Sequence, residues 1–589
     1  MSSEHLAPLS IRQAGDFAPN APLLRMSLFA VAIGGISTLG ADLLLGLIRL
    51  FTNLFYYGSA SLANNSPAAN HLHYWAALVP VAGGLLVGLL ARYGSEQIRG
   101  HGIPEAIEAI LFGRSRMSAK VAVLKPLSSG IVIGSGGPFG AEGPIIMTGG
   151  AAASLLAQAF HLTAAERKAL LVAGACAGMT AVFGTPLAAI LLAVELLLFE
   201  LRPRSLMPVA ISCAVAGFLR PLWATAGPLF PLETPAPSTL AMLSCCIAGL
   251  ASGLASAAMT VTLYRVEDWF HRLPMHWMWW PAIGGVVVGL GGLLEPRALG
   301  VGYDVIGDLL ANHFTVMAAL VFLLVKFVMW AVALGSGTSG GVLAPLLMIG
   351  AGVGLTLSPW LPGGSPQLWA LVCMSAILGG TMRAPLTAIV FAFGLTHDAN
   401  AFLPTILGSA VAYGFTVIVM PRSILTEKIA RRGRHVYREY SVDPLERHFV
   451  EEVMTRTVAT AGTQDSVDEA YRTLFGAGQI HRAYPVLEGQ RVVGMLDRLL
   501  IEHAMRLDPA QTIGSVLNPD LDLVFALPHE NCRAIGERLI ATGLERMPVV
   551  SDAKSLQLLG IVSRSDLLKP LKSRYEEEMV REGAIRFRT

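Results

Sequence analysis

Charge is almost absent from most of this sequence. No Asp, Glu, Lys or Arg lies between Phe327 and Met382, and charged residues make up only 14% of the 589-residue chain. Soluble globular proteins carry about 25%. Of the 84 charged residues, 45 lie in residues 431–589. The distribution predicts a membrane body formed by the first 430 residues and a soluble part formed by the rest.

The hydrophobic runs are not simple membrane anchors. A spanning helix needs about 20 consecutive apolar residues. Several runs here are too long for one span, and others are broken by glycine and proline. Interrupted segments at membrane depth are tolerated only where the backbone lines a cavity or packs inside protein. The pattern therefore favours a transport pathway over an anchor.

Three blocks of sequence recur in the same order about 200 residues later. The matched pairs are 100–103 (GHGI) with 300–303 (GVGY), 134–136 with 335–337 (both GSG), and 185–190 (TPLAAI) with 384–389 (APLTAI). This predicts two homologous membrane repeats, residues 27–225 and residues 237–432, the second including a terminal inner helix. Such repeats are typical of transporters whose binding site lies between the halves.

Two glycine-rich segments predict an anion site. Residues 134–144 (GSGGPFGAEGP) and 335–345 (GSGTSGGVLAP) each precede an apolar run. Glycines let backbone amides converge, and the positive end of a following helix attracts an anion. Glu142 is the one carboxylate in these segments, and a carboxylate at membrane depth indicates function. It is expected to occupy the anion site as a tethered substitute and to leave when protonated or displaced. For the two segments the alternative is close packing of small residues, and for Glu142 it is capping of the helix that begins at Gly143.

These motifs resemble those of a known family. Residues 100–104 (GHGIP), 140–144 (GAEGP) and 341–345 (GVLAP) together look like the three anion-binding motifs of the CLC chloride channel and transporter family. Residues 186–188 (PLA) and 423–428 (SILTEK) fit the same family. The resemblance covers residues 27–432. It implies a homodimer in the lipid bilayer, with two inverted repeats and one chloride pathway in each subunit.

The resemblance also implies residue roles. Glu142 would be the external gating glutamate, and the backbone amides of Val342 and Leu343 would face the central anion. The complete anion-binding set implied is His101, Gly102, Ala141, Gly143, Val342, Leu343 and Leu425.

Four positions depart from the family pattern. His101 replaces the usual Ser or Pro, Leu425 replaces a Tyr that offers its hydroxyl to the anion, and Ala141 replaces a common basic residue. The inner proton acceptor of coupled members would fall at Leu196, and its neighbour Glu195 is the substitute candidate for a proton pathway. We interpret this as channel-like or weakly proton-coupled transport, with a chloride/proton antiporter as the alternative.

His101 has two possible roles. It could donate a hydrogen bond to the anion as a neutral ring or attract it as a cation, since imidazole titrates near pH 6.5. The alternative is a polar filler at a helix start. With His101 and Leu425 in place of the usual ligands, a preference for bromide, nitrate or fluoride over chloride stays open.

The soluble part contains two similar units, residues 449–506 and 507–572. Each combines a helical stretch with short apolar strands, and the pair resembles tandem CBS domains, which often bind adenosine nucleotides. Ser563 and Asp566 in the second unit would hold phosphate and ribose. Asp497 and Leu500 stand at the matching places of the first, which removes the ribose carboxylate. A pair serving only as a dimerisation platform is the alternative.

The expected protein is thus a polytopic α-helical membrane protein with two inverted repeats, followed by a cytosolic α/β tandem CBS pair. Arginines after the last apolar run place the C-terminal part in the cytosol, and the membrane is expected to be the inner (plasma) membrane. Residues 1–26, 433–448 and 573–589 are expected to be a cytosolic N-terminal segment, a linker and a tail.

Other function classes fit less well. No nucleophile–base constellation, metal-ligand spacing or sustained basic face appears in the sequence, which argues against an enzyme, a required cofactor and a nucleic-acid partner. A nucleotide sensor with a membrane anchor would need no anion site. A CBS-bearing divalent cation transporter would need clustered acidic residues in the membrane.

Overall fold

The computed structural model describes residues 22–160, 162–224, 226–434, 436, 445, 448–476, 479, 481–517 and 523–570. It contains two compact units, one within residues 20–440 and one that includes residues 441–589. The expected N-terminal segment 1–26, linker 433–448 and tail 573–589 lie wholly or largely outside the described residues.

The first unit is helical. Its described helices are α1 (Pro22–Tyr57), α2 (Val79–Tyr93), α3 (Ile103–Leu111), α4 (Ala119–Gly134), α5 (Glu142–Gln158), α6 (Ala164–Phe183), α7 (Pro186–Leu192, continued by a π-helical turn at Ala193–Leu198), α8 (Pro203–Leu219), α9 (Ala241–His271), α10 (Trp280–Leu294), α11 (Tyr303–Leu310), α12 (Val316–Gly335), α13 (Leu343–Leu357), α14 (Pro366–Met382), α15 (Pro385–Thr396), α16 (Phe402–Val419) and α17 (Ile424–Arg431).

The helix order repeats itself. Helices α2 to α8 are followed by α10 to α16 in the same sequence of long and short helices. Equivalent helices also contact each other: α2 packs on α10, and α7 packs on α15. Contacts between equivalent elements are those of two halves related by a pseudo-twofold axis. The duplication predicted from the three matched blocks is therefore present in the fold.

Length and composition make the unit a membrane protein. Among the described residues, eight helices are long and apolar enough to cross a membrane. The two helices that start at the glycine-rich loops, α5 and α13, are buried along most of their length, although α13 is part of one of these eight spans. They pack against α6 and α14, whose residues are also almost all buried. Protein, rather than lipid, therefore surrounds the loops.

The C-terminal unit combines helices and strands. Its described elements are α18 (Val450–Val453), β1 (Ala461–Gly462), α19 (Val467–Leu474), β2 (Ala483–Glu488), β3 (Arg491–Asp497), α20 (Arg498–Leu507), α21 (Ile513–Val516), α22 (Cys532–Thr542), β4 (Arg546–Val550) and β5 (Leu558–Ser563).

Two small sheets organise this unit. In one, β1 runs parallel to β2, and β2 runs antiparallel to β3 with Ala483 opposite Asp497. In the other, β4 and β5 are antiparallel with Arg546 opposite Ser563. Each sheet covers its own apolar cluster, so the unit is itself a duplication.

Candidate functional site

The two glycine-rich loops meet backbone to backbone. The amide of Gly140 donates to the carbonyl of Gly341 at 3.2 Å, and the amide of Gly341 donates to the carbonyl of Gly140 at 2.9 Å. This reciprocal pair lies just before α5 and α13. The amino ends of the two helices, which carry partial positive charge, are thereby brought together.

The loop of residues 100–104 completes the site. A Cβ added at Gly102 would lie 2.8 Å from the carbonyl oxygen of Gly143, and one at Gly143 would lie 1.8 Å from that of His101. Gly102 also has φ +91°, which other residues rarely adopt. Only glycine permits this approach, so three loops converge without side chains between them.

Glu142 is the first residue of α5 and is fully buried. Its Oε1 accepts a hydrogen bond from the amide of Ala344 at 3.2 Å. The carboxylate of one repeat therefore lies at the amino end of a helix from the other repeat. Among the described residues, Oε2 has no hydrogen-bond partner. The arrangement is that of an anion at a helix N-terminus, with Glu142 itself supplying the anion.

The backbone amides that were predicted to face an anion lie beside the Glu142 carboxylate. Val342 and Leu343, both buried, form the start of α13 directly before Ala344. Ala141 and Gly143 flank Glu142 and are buried as well. The structure thus brings these four predicted residues together with Glu142.

Tyr303 belongs to the same cluster, and the sequence analysis missed it. Its hydroxyl oxygen is buried and faces the Glu142 carboxylate and the Ala141 backbone. Its ring packs edge-on against Phe183 with centroids 5.8 Å apart. The repeat offered a signal, because Tyr303 stands in the second repeat where Ile103 stands in the first.

His101 is buried next to the Gly102–Gly143 contact, and its own carbonyl oxygen lies against Gly143. Neither ring nitrogen has a hydrogen-bond partner among the described residues. The charged groups near the ring include Lys428, Glu105 and Lys125. A buried polar group without a partner costs about 1–3 kcal/mol. The ring is therefore available to donate to a bound anion.

Two buried lysines hold the loops of the two repeats. Lys125 Nζ donates to the carbonyls of Ile98 and Gly100, both at 2.8 Å. Lys326 Nζ donates to those of Ala298 and Gly300, at 2.8 and 3.2 Å. The sequence analysis missed both, although they are separated by the same interval as the GSG blocks.

Helix α17 closes the site on the side of residues 100–104. Leu425 is fully buried in it and offers no polar group. Lys428 of this helix lies 3.4 Å from Glu105, whose other oxygen accepts the amide of Gly102 at 3.0 Å. The helix that carries Leu425 is thereby tied to the first loop.

A cavity of about 840 Å³ opens on this side. Gly100, Met147 and Gly337 line it near the loops, and the basic residues lining it include Arg99, Arg116, Lys428, Arg431, Arg432 and Arg434. Acidic partners neutralise part of this charge; Arg432, for example, lies 3.0 Å from Glu105. The cavity gives water and small ions a route towards the loops.

Glu195 is engaged elsewhere. It lies in the π-helical turn after α7, and its Oε2 accepts hydrogen bonds from the Thr387 amide at 2.7 Å and hydroxyl at 2.6 Å. Its Oε1 accepts the Leu386 amide at 3.2 Å. Glu195 therefore caps the amino end of α15, while its neighbour Leu196 is fully buried.

Ser563 and Asp566 lie together at the end of β5. Asp566 accepts from the amide of Ser563 at 2.9 Å and from its hydroxyl at 2.6 Å, and it pairs with Lys569 at 2.7 Å. Burial raises the pKa of Asp566, but the hydrogen bonds from Lys569 and Ser563 outweigh it and hold the pKa below its usual value. The two nucleotide candidates are thus bonded to each other. Asp497, in the first unit, instead caps α20 through the amide of Leu500 at 2.7 Å.

Metal binding has no visible basis in the described part of the chain, where no group of three His, Cys, Asp or Glu side chains is placed to hold an ion. The cysteines described are free thiols.

Comparison with known proteins gives a consistent result. The family model described as "Voltage gated chloride channel" matches residues 83–417, and the CBS domain model matches residues 450–501 and 513–573. A protein of Escherichia coli O81 (strain ED1a) described as voltage-gated ClC-type chloride channel ClcB is 30% identical over 367 residues, which are 60% of this chain and 86% of that protein. A protein of Salmonella paratyphi A described as H(+)/Cl(-) exchange transporter ClcA is 29% identical over 349 residues, 55% of this chain and 73% of that protein.

Solved structures show the fold. A slow cyanobacterial Cl-/H+ antiporter superposes with a TM-score of 0.61 at 20% identity, covering 71% of this chain and 99% of its own. A eukaryotic CLC transporter covers 92% of this chain and 98% of its own, with a TM-score of 0.56 at 19% identity. The predicted fold class, a CLC-like membrane body followed by CBS domains, is confirmed.

Proposed function

The chain belongs to the voltage gated chloride channel family, and on this premise we propose that it moves chloride across a membrane through a pathway gated by Glu142. The observation that carries the proposal is the position of the Glu142 carboxylate. It lies at the amino end of α13 and accepts the Ala344 amide, where a chloride ion would find the same donor. Gate and chloride therefore compete for one site.

The electrostatics favour such competition. Chloride needs donors without a full positive charge close by, because a fixed cation would hold it too tightly for passage. The amino ends of α5 and α13, which the Gly140–Gly341 pair brings together, meet this requirement. His101, whose ring nitrogens have no partner among the described residues, can add a side-chain donor next to Gly143. The cavity of about 840 Å³ would supply chloride from that side.

Chloride efflux from proteoliposomes tests the proposal, with internal pH recorded in parallel. Glu142→Ala empties the site of its tethered carboxylate, and we expect faster chloride efflux than in the wild type. Glu142→Gln keeps the shape and removes the charge, and we expect efflux that no longer depends on pH. Absence of chloride flux in all three folded proteins would refute chloride as the substrate, and the assay would then be repeated with bromide, nitrate and fluoride.

Transport is proposed to be channel-like or weakly coupled to protons. The support is Leu196, an apolar buried residue where a proton acceptor is expected, and Glu195, whose carboxylate is used to cap α15. The alternative is chloride/proton exchange, in which water or Glu195 would carry the proton.

Glu195→Gln separates these two. Under exchange through Glu195, a chloride gradient drives uphill proton movement in the wild type but much less in the variant. Under channel-like transport, neither protein moves protons uphill, and the variant loses only thermal stability because one of the two acceptor oxygens that cap α15 is replaced by an amide NH2 group. Uphill proton movement that survives in the variant would indicate exchange through water.

Assembly, orientation and regulation are also proposed. Two subunits would each carry one pathway, and cross-linking in native membranes would give a dimer. The CBS pair would face the cytosol, so that added protease reaches it only in inside-out vesicles.

One adenosine nucleotide would bind near Ser563 and Asp566. Because these residues bond to each other, binding would require that pair to open, and a lack of any shift in unfolding temperature with ATP, ADP or AMP would favour a dimerisation role.

A further inference from the structure

We propose that the hydroxyl of Tyr303 is a latch on the gate: it donates a hydrogen bond to the ionised Glu142 carboxylate and prolongs its stay in the anion site. The inference rests on the proposed function, since it assumes that Glu142 is the gate. It gives a role to a residue that none of the three anion-binding motifs contains.

The geometry of two unpartnered oxygens carries the inference. Tyr303 Oη and Glu142 Oε2 are both buried, and neither has a hydrogen-bond partner of normal geometry in the described part of the chain. They face each other, with the Ala141 backbone beside them. A phenol can donate one hydrogen, and an ionised carboxylate can only accept. A small rotation of either side chain would satisfy both groups at once.

The surroundings of Tyr303 keep its hydroxyl in place. The residue opens α11 directly after Gly302, whose φ of +70° turns the chain into the helix. Its ring packs on Phe183, which in turn packs edge-on against Phe391 with centroids 5.0 Å apart. The aromatic contacts leave the ring little freedom, so the hydroxyl is presented to Glu142 at a low entropic cost.

The latch also accounts for the departure at Leu425. Leu425 in α17 offers no hydroxyl to an anion. The hydroxyl of Tyr303 is instead placed next to the Glu142 carboxylate. A donor placed there stabilises the seated carboxylate through a charge-assisted hydrogen bond, and it favours the carboxylate over a passing chloride because Glu142 is tethered within reach of the hydroxyl. The expected result is a pathway that opens rarely.

A double-mutant cycle tests the latch in full-length protein reconstituted in proteoliposomes. Tyr303→Phe, which keeps the ring and removes the oxygen, should speed chloride efflux about tenfold, because one charge-assisted bond to the seated gate is lost. In the Glu142→Ala background the same change should have almost no effect. Tyr303→His retains a ring donor and should restore part of the slow efflux. Tyr93→Phe, 81% exposed at the end of α2, is the matched control.

The outcomes separate the latch from its premise. If Glu142→Ala leaves efflux at the wild-type rate, the gate itself is wrong. If Glu142→Ala speeds efflux but Tyr303→Phe does not, only the latch is overturned. Equal slowing by Tyr303→Phe in both backgrounds would instead make Tyr303 a chloride ligand or a packing residue, and it would overturn the latch as well. Equal unfolding temperatures of the single variants would show that folding is not the cause.

Discussion

The two membrane repeats are most alike in their scaffold and least alike at the site. Each repeat has a Gly-x-Gly turn whose second glycine has positive φ, and a buried lysine that donates to two carbonyls of the adjoining segment. Lys125 and Lys326 are both inaccessible to solvent. The devices that fix the loops are therefore duplicated.

The polar groups that face the site are not duplicated. The first repeat contributes His101 and Glu142, where the second has Val301 and Leu343. The second repeat contributes Tyr303 in return, where the first has Ile103. Duplication therefore built a symmetric frame, and a few single-residue differences made the candidate site asymmetric. In the proposed pathway, His101 comes from one repeat, and the Glu142 gate is contacted by Tyr303 from the other.

The largest expected effect comes from breaking the shared scaffold. Lys125→Met and Lys326→Met each leave two buried carbonyls without a donor, which should lower the free energy of unfolding by about 3 kcal/mol. Thermal unfolding of the two purified variants would measure it. The two variants should differ in transport. When efflux is normalised to the amount of folded protein, Lys125→Met should be slower than wild type and Lys326→Met should not, because only Lys125 lies near His101.

A loss of flux in both lysine variants would contradict the expected difference in flux, and wild-type stability of either variant would contradict the expected destabilisation. The first result would make the lysines equal parts of the pathway. The second would mean that water replaces the missing ammonium groups.

A smaller loss of stability is expected from glycine-to-alanine substitutions in the two Gly-x-Gly turns. Gly302→Ala places a Cβ 2.5 Å from Met348 Cε, the end of a flexible side chain, so it should cost only the backbone strain of about 1 kcal/mol. Gly102→Ala meets the carbonyl oxygen of Gly143 at 2.8 Å. That carbonyl cannot move without shifting α5, so Gly102→Ala should also abolish most chloride efflux. Similar efflux from both variants would show that the three-loop contact is not the site.

Much of this comparison could be predicted from the sequence. The matched GSG and Gly-x-Gly blocks predicted two repeats, and the lone carboxylate among glycines singled out Glu142, which the fold buries where the loops meet. Backbone contacts of this kind leave a clear trace, because only glycine fits where the main chains touch. Lys125 and Lys326 are separated by the same interval as the GSG blocks, so their equivalence is also visible in the sequence.

Tyr303 and Glu195 could not be placed in the same way. A tyrosine at the start of an amphipathic helix is compatible with the core, with lipid or with a site, and only the fold brings it to Glu142. Glu195 lies in a π-helical turn, which rotates the side chains that follow relative to an α-helix. The family pattern, which puts the expected proton acceptor at Leu196, could not show that the Glu195 carboxylate would cap α15 in the other repeat.

The CBS units repeat the pattern of a shared scaffold with one altered residue. Both end their last strand at a polar residue that caps the next turn, Asp497 in the first unit and Ser563 with Asp566 in the second. Only the second places a carboxylate three residues on, where the first has Leu500. Asp566 is nearly buried and pairs with Lys569, so the difference between the units should be visible as a dependence of stability on pH.

The smallest expected effect is the loss of this carboxylate. Because the pKa of folded Asp566 lies below its usual 3.8, the ionised form stabilises the fold at neutral pH, and this stabilisation is lost as the pH falls through 3.8 towards the folded value. Asp566→Asn should lower the free energy of local opening by about 1 kcal/mol at pH 7, and the difference from wild type should shrink below pH 4. Hydrogen exchange at the β5 amides of full-length protein, corrected for intrinsic rates, measures it, with Asp497→Asn as the counterpart in the first unit. A pH-independent difference at β5 would mean that Asp566 acts through the shape of its hydrogen bonds rather than through its charge, and the second CBS unit would then differ from the first in geometry alone.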